Sequence, residues 1–325
     1  MRTSDTIGRH RRDPAAGLEH SALFYGDDDA FLAGVLDHVH AGFEADDVVV
    51  VGLPPEHLTV LRAELGDDAG RVHLHDLSLL ARNPARLLPA LRMFVDGHGS
   101  AEQRVRAVAE TCWSGRTPAE RVVCVQHDAL SNVAFENMGL SVLCAYDTRE
   151  LGEDERADAC AAHQHNLEDG AFTPNPNYSD PVKLAAALAG PLTEPAGLGE
   201  TLVFTAPHGP RTVRLAVAEH ARRAGLTDGR VADLCLAVHE VAVNTVVHTD
   251  GPGILSLWEE DGAVVAEIQD GGYVADPLAG SYPPGPTDGR GYGLYLTHRL
   301  CDLVQIHTTL DAGTTVRMSM RLASS

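Results

Sequence analysis

From Ser21 onward the chain alternates short apolar runs with longer stretches that repeat apolar residues every three or four positions. SALFY, DVVVVGL, RVHLHDL, RVRAVAETCW and SVLCAYD have strand length, and DAFLAGVLDHVHAGF, PEHLTVLRAEL, PARLLPALRMFVDGH and RVVCVQHDALSNVAF carry the helical period between them. Strands that are apolar throughout and separated by helices predict β-α-β units, hence a mostly parallel sheet covered on both faces. The pattern ends near residue 165. From Asn175 to Glu200 the chain is rich in Pro, Ala and Gly without a sustained strand period, which predicts a linker. Beyond it, TLVFTA reads as a strand, RTVRLAVAEHARRAG as a helix, and the turn and cap signal Thr227-Asp228-Gly229 opens a second helix that runs to His248. ILSLWEEDGAVVAEIQDGG predicts a hairpin turning at Glu-Asp-Gly. A Pro/Gly-rich stretch, a helix through LYLTHRLCDL and the strands VQIHTTL and TTVRMSMRL close the chain, an α+β plan with helices on one face of an antiparallel or mixed sheet.

Length and charge narrow this picture. A chain of 325 residues suits two domains, each with its own core. With 25 Lys+Arg against 46 Asp+Glu the net charge is −21, which disfavours direct nucleic-acid binding because phosphate neutralisation needs clustered cations. No apolar run reaches the roughly 18 residues that span a bilayer, and MRTSDTIGRHRRDPAAG lacks a signal-peptide core, so a cytoplasmic protein without membrane partners is expected. The polar, aperiodic residues 1–17 predict a disordered lead-in. Six scattered cysteines without a C-x-x-C pair predict reduced, mostly buried thiols.

Candidate chemistry begins on the helix that ends HEVAVNTVVH. At about 100° per residue, apolar side chains surround most of this helix, yet Asp233, Glu240, Asn244 and His248 share one strip less than about a quarter-turn wide. Buried polar groups need partners, so the strip is either a satisfied internal network or a site. Three later signals follow in order: Asp270 with Gly272 at a strand end, Gly289, Gly291 and Gly293 in GRGYG opening a helix where free amides suit phosphate, and Gly313-Thr314-Thr315 starting a strand.

In this order the motifs resemble the GHKL ATPase superfamily with its Bergerat ATP-binding fold, over about residues 200 to 322. Glu240 to Asn244 match the asparagine-box helix, Asp270-Gly271-Gly272 the first glycine box, Gly289 to Gly293 with Arg290 the second, and Gly313 to Thr315 the closing Gly-Thr. The short lid and GRGYGLYLTHRLCD are similar to the anti-sigma-factor serine-kinase branch. The resemblance implies ATP and Mg²⁺ as cofactors. It places Mg²⁺ on Asn244, adenine on Asp270, and the nucleotide on Gly272, Gly289, Arg290, Gly291, Gly293 and Thr315. Glu240 is then the catalytic residue, activating a serine in a kinase or a water in a hydrolase. His248 reads as a structural or lid-contacting histidine, and His239 points elsewhere. Val274 stands where the first glycine box often has a second glycine.

The first half resembles the MEDS sensory domain through HSALFY, NPAR (Asn83 to Arg86), RAVAETCW, LCAYD, His163 and NYSDP. The expected sheet is RecA-like, but no G-x-x-x-x-G-K-[ST] loop is present in this half, so no ATP hydrolysis is expected there. His20, Tyr25, Arg106, Glu110, Trp113, Tyr146 and His163 are candidates for a sensory pocket that takes an unknown small molecule, or for a buried network supporting the sheet. The division expected is 18–178 for the sensory domain, 179–200 for a linker and 201–322 for the ATPase domain. Implied partners are an anti-sigma-factor antagonist carrying the substrate serine, a sigma factor, and a second copy in a homodimer. The alternatives are a partner-binding ATP switch without catalysis and a sensor histidine kinase, the latter disfavoured because a Pro/Gly-interrupted linker stands where a dimerising hairpin would be.

Overall fold

The computed structural model describes residues 17–100, 103–113, 115–168, 170–194, 199–283 and 291–322. The lead-in expected over 1–17 lies, apart from Gly17, outside them, as do Gly289 and Arg290. In chain order the first half contains β1 (Glu19–Tyr25), α1 (Asp28–Ala45), β2 (Val48–Leu53), α2 (Pro55–Leu65), β3 (Val72–Asp76), α3 (Leu77–Leu80), α4 (Leu87–His98), β4 (Val105–Ala109), α5 (Pro118–Ala134), β5 (Leu140–Asp147), α6 (Glu153–Ala161), β6 (His165–Glu168), β7 (Ala171–Pro174) and α7 (Pro181–Leu188). The second half contains β8 (Glu200–Phe204), α8 (Gly209–Arg223), α9 (Asp228–His248), β9 (Gly253–Glu260), β10 (Ala263–Asp270), α10 (Gly293–Leu300), β11 (Leu303–Thr309) and β12 (Gly313–Arg321).

The first sheet has seven strands in the order β3-β2-β4-β5-β1-β6-β7, parallel at every ladder but β6–β7. Burial on both faces explains why its central strands read as unbroken apolar runs. β5 sends Val142, Cys144 and Tyr146 into one core and Leu143 and Ala145 into the other. α1 and α2 cover the second core; α4, α5 and α7 cover the first. The expected linker therefore contains a docked helix. Asp180 caps the amides of Val182 and Lys183, and Leu184, Ala185 and Leu188 fall on the one face that packs toward α5.

The second sheet has the order β11-β12-β10-β9-β8 and is antiparallel at all four described ladders, the simpler of the two arrangements expected. The β9–β10 hairpin turns at Asp261 and Gly262, both with positive φ (49° and 71°), the conformation that an Asp-Gly pair favours. α8 and α9 lay Val213, Val217, Leu234, Val238 and Val241 over Leu255, Leu257, Ile268 and Met318 of one sheet face. Among the described helices only α9 is long and apolar enough to cross a bilayer, and its Val231, Leu234, Val238 and Val241 belong to this core.

The two halves touch at the end of α10. The amide of Asn83 donates to the carbonyls of His298 (2.9 Å) and Cys301 (3.4 Å), and the Arg86 guanidinium donates to the same two oxygens at 3.3 and 3.0 Å. The last carbonyls of a helix have no partner of their own, so the NPAR segment of one half supplies the C-terminal cap for a helix of the other. Beside this cap the buried carboxylate of Asp302 pairs with Arg230 and lies 3.5 Å from Arg82.

Candidate functional site

The α-helical rise puts Glu240, Asn244 and His248 at successive turns of α9, facing the loop that follows β10 and the start of α10. Asp270 ends β10, and both of its carboxylate oxygens are engaged. The Thr245 hydroxyl lies 2.6 Å from Oδ2 and the Gly272 amide donates to Oδ1 at 2.8 Å. The carboxylate thus keeps one orientation while its remaining lone pairs face the cavity. Thr314 donates to the Gly272 carbonyl at 2.9 Å and accepts the Thr308 hydroxyl at 2.8 Å; Thr308 in turn accepts the Val274 amide at 3.1 Å. These hydroxyls tie the loop to β11 and β12 where the glycine expected at Val274 is missing.

Two glycines are required by close approach. A Cβ on Gly293 would lie 3.1 Å from Asn244 Nδ2 and 3.3 Å from Glu240 Oε2, so the bare first residue of α10 lets both side chains lie close against the helix start. Gly313 has φ +83°, and a Cβ there would sit 2.0 Å from the Asp270 carbonyl oxygen. Gly313→Ala is therefore expected to cost about 2–5 kcal/mol of folding stability, from backbone strain plus overpacking, and to weaken nucleotide binding by moving Asp270. Urea denaturation alongside nucleotide titration checks it, and a variant as stable as the parent would remove the constraint.

A cavity of about 580 Å³ joins these groups, within the range of small-molecule sites. Val241, Leu278, Leu294 and Val316 form apolar walls, Asp270 and Thr314 stand at one end, and Asn244 and Gly291 line the same space. Such a space has the shape and the polar groups to suit a flat ring with an amine toward Asp270 and an anionic tail toward the start of α10. An amide oxygen and a carboxylate beside that helix start fit the few oxygen ligands that a Mg²⁺ ion takes from protein. Thr315 does not line the cavity; neighbouring strand residues face opposite ways, and the lining residue is Thr314. Thr245 is the site residue that sequence reasoning missed, its available signal a hydroxyl next to Asn244; Thr314 was named only within the Gly-Thr-Thr motif, with Thr315 the residue expected at the nucleotide. His248 lines the cavity, while His239 faces the Pro210 carbonyl at 3.5 Å.

The seven candidates in the first half do not converge on one pocket. His20, Tyr146 and His163 gather, with ring centroids 4.1 Å apart for His20 and His163 and 5.6 Å for Tyr146 and His163. Tyr25 donates to Glu110 at 2.9 Å, and His57 Nδ1 lies 2.5 Å from the other oxygen of Glu110, a separate group that raises the pKa of His57 through that hydrogen bond. Arg106 is bonded to Asp47 at 2.8 Å, and the Trp113 ring lies under Arg116. A cavity of about 190 Å³ does occur beside the first group, lined by His20, Cys144, Asp128, His127, Leu91 and Phe94 among others. Asp128, bonded to the Tyr146 hydroxyl, is pushed up to about 7 by burial. Only the fold brings Asp128 and Cys144 to His20, since no local spacing announces them.

Residues 19–164 match the family model of the MEDS domain, the methanogen/methylotroph DcmR sensory domain, and residues 206–320 match that of the histidine kinase-like ATPase domain. A crystal structure of the RsbU and RsbW domains of Rv1364c from Mycobacterium tuberculosis is similar at 22% identity, with a TM-score of 0.30, over 39% of this chain. The match spans 33% of that protein's chain. No curated protein matches.

Proposed function

We propose that this chain, in which a MEDS domain precedes a histidine kinase-like ATPase domain, is a cytoplasmic signalling protein that binds Mg²⁺-ATP and phosphorylates a serine of a protein partner. The partner class is an anti-sigma-factor antagonist, with a sigma factor as a second partner held without phosphorylation and homodimerisation as the assembly. The working division is 18–178 for sensing, 179–200 for the connection and 201–322 for nucleotide chemistry. The observation that carries the reading is the approach of Glu240 and Asn244 to the bare start of α10, with Asn244 and a fixed Asp270 lining one cavity.

In this reading Asp270 accepts the amine of the base, held in place by Thr245 and Gly272. Asn244 Oδ1 holds Mg²⁺, which when bound neutralises charge on the phosphate oxygens. The amides at Gly291 and Gly293 receive the anionic tail, and Gly289 and Arg290 belong to the same box by resemblance. Glu240 takes the proton of the attacking serine hydroxyl, acting as general base. Incubating the pure chain with γ-labelled ATP, Mg²⁺ and a candidate antagonist tests it: acid-stable, alkali-labile label on the antagonist is expected. Label on water alone would make the chain a hydrolase.

Control by the sensory half runs, in this proposal, along α10. Its first residue lies against Glu240 and Asn244, and its last carbonyls are held by Asn83 and Arg86. The double variant Asn83→Ala, Arg86→Ala is expected to lower nucleotide affinity by about 5-fold or more, the lower end of ordinary allosteric coupling. An unchanged affinity would separate the two halves functionally.

A further inference from the structure

His20, Cys144 and His163 lie on three different elements and present their ligand atoms to one another at the bottom of the first-half core. One ring nitrogen of His20, Cys144 Sγ and one ring nitrogen of His163 all lie within 4.8 Å of one another, and each residue is buried. Hydrogen bonding fixes which nitrogen is free. The Asn132 amide nitrogen donates to the carbonyls of Asp128, Ala129 and Ala162, so its oxygen must face His20, and it sits 3.3 Å from His20 Nδ1. Nδ1 of His20 therefore carries the proton, and Nε2, 3.3 Å from the Cys144 sulfur, carries a lone pair. Likewise His163 Nδ1 lies 2.7 Å from the Ala159 carbonyl, which can only accept. That leaves Nε2 of His163 a bare lone pair, and it has no hydrogen-bond partner although the residue is wholly buried.

Two imidazole lone pairs and one thiol cannot satisfy each other, because Cys144 has a single proton to donate. A buried lone pair without a donor costs about 1–3 kcal/mol, and the remedy for two nitrogens and a sulfur is a cation. We propose that His20, Cys144 and His163 form a binding site for a zinc-class divalent transition ion, with its fourth position toward the adjoining cavity. Nitrogen and thiolate donors suit zinc or cobalt and not the hard Mg²⁺ of the nucleotide site. At metal distances of about 2.0–2.1 Å for nitrogen and about 2.3 Å for sulfur, ligand atoms around a tetrahedral ion stand about 3.4–3.6 Å apart, close to the His20–Cys144 separation. Asn132 and the Ala159 carbonyl are the outer partners that metal-bound histidines use to fix ring orientation.

As the ion enters, Cys144 releases its proton to solvent and binds as thiolate, one proton per ion. Two neutral imidazoles and one thiolate leave the site with one positive charge. Asp128, whose Oδ1 lies 3.8 Å from the Cys144 sulfur, is the carboxylate that balances it. The site is separate from phosphoryl transfer and needs no nucleotide.

The test titrates the chelator-stripped full chain with Co²⁺ in excess Mg²⁺ without nucleotide. One equivalent is expected to give the visible bands of a tetrahedral ion and a near-ultraviolet sulfur-to-cobalt band, and one equivalent of Zn²⁺ should abolish both. Cys144→Ser is expected to lose the sulfur band and Cys160→Ser to retain it. Because loss of the fold would also remove the band, Asn132→Leu serves as a second variant, with metal affinity about 10–100-fold lower and the band shape kept. No saturable cobalt signal from the parent, or a sulfur band that survives Cys144→Ser, would overturn the assignment.

Discussion

Replacing Glu240 by alanine is expected to leave Mg²⁺-ATP binding within a few-fold of the parent and to lower phosphoryl transfer by about 10²–10⁴-fold, the usual contribution of a general base. The asymmetry follows from position. Glu240 reaches the start of α10 but does not line the cavity, whereas Asn244 does both. Asn244→Ala is accordingly expected to weaken nucleotide binding in the presence of Mg²⁺ and to lose little without it. Calorimetric nucleotide titration with and without Mg²⁺, paired with label transfer on each variant, separates the two roles. Transfer at the parent rate in Glu240→Ala would remove the base, and equal affinity in Asn244→Ala would remove the metal ligand. A parent chain that forms a nucleotide-dependent complex with its partner but never labels it would be the switch without catalysis.

The second large effect is on stability in acid. Burial holds His38 and His127 down to about 3 and His298 down to about 4, against an ordinary value of 6.5. Their neutral forms are favoured by the fold, so their contribution is complete above pH 6.5 and is lost as pH falls toward the folded values. Arg106 adds to the depression of His38, Arg86 to that of His298, and His298 to that of His127, the two histidines lining one cavity at the domain contact. Asp128, raised to about 7, binds its proton in the fold over the same range and offsets one histidine. For these four groups together, stability is expected to fall as pH drops from 6 to 4.5, by roughly 3 kcal/mol per pH unit. His57, raised by Glu110, works in the opposite sense and is felt only as pH rises through its folded value. Urea midpoints measured across this range check the slope; His127→Gln should flatten it by about 1.4 kcal/mol per pH unit. A profile that is level from pH 6.5 to 4.5 would contradict the burial of these neutral rings.

The linker shows where reading by composition reached its limit. The stretch Asn175 to Glu200 has too much Pro, Ala and Gly to predict an element with confidence of type, yet Pro181–Leu188 is helical because α5 offers Leu184 and Leu188 a surface. A short Ala-rich helix owes its stability to packing more than to propensity, and packing is absent from a linear pattern. Thr315 and Thr314 make the same point on a smaller scale. The Gly-Thr-Thr motif names both, and only the register of β12 against β10, where Thr314 pairs with Asp270, selects the one that faces the cavity.

What the sequence by itself determined is everything with a short period or a short motif. Apolar runs and helical repeats set the two sheets and their covering helices, because burial on one or both faces writes itself into every second or every third to fourth residue. The ordered motifs from Glu240 to Gly313 were legible for the same reason, each being a local backbone or side-chain requirement, and the fold brings Asn244, Asp270, Gly272, Gly291 and Thr314 to one cavity. Tertiary structure alone decided what depends on residues far apart in the chain. It placed Asn83 and Arg86 on the carbonyls at the end of α10, put His127 and His298 on the wall of one cavity, and gathered His20, Cys144 and His163 from β1, β5 and the turn after α6. Separations of that kind leave no spacing to read, since the contact is made by the crossing of strands and helices and not by the order of residues.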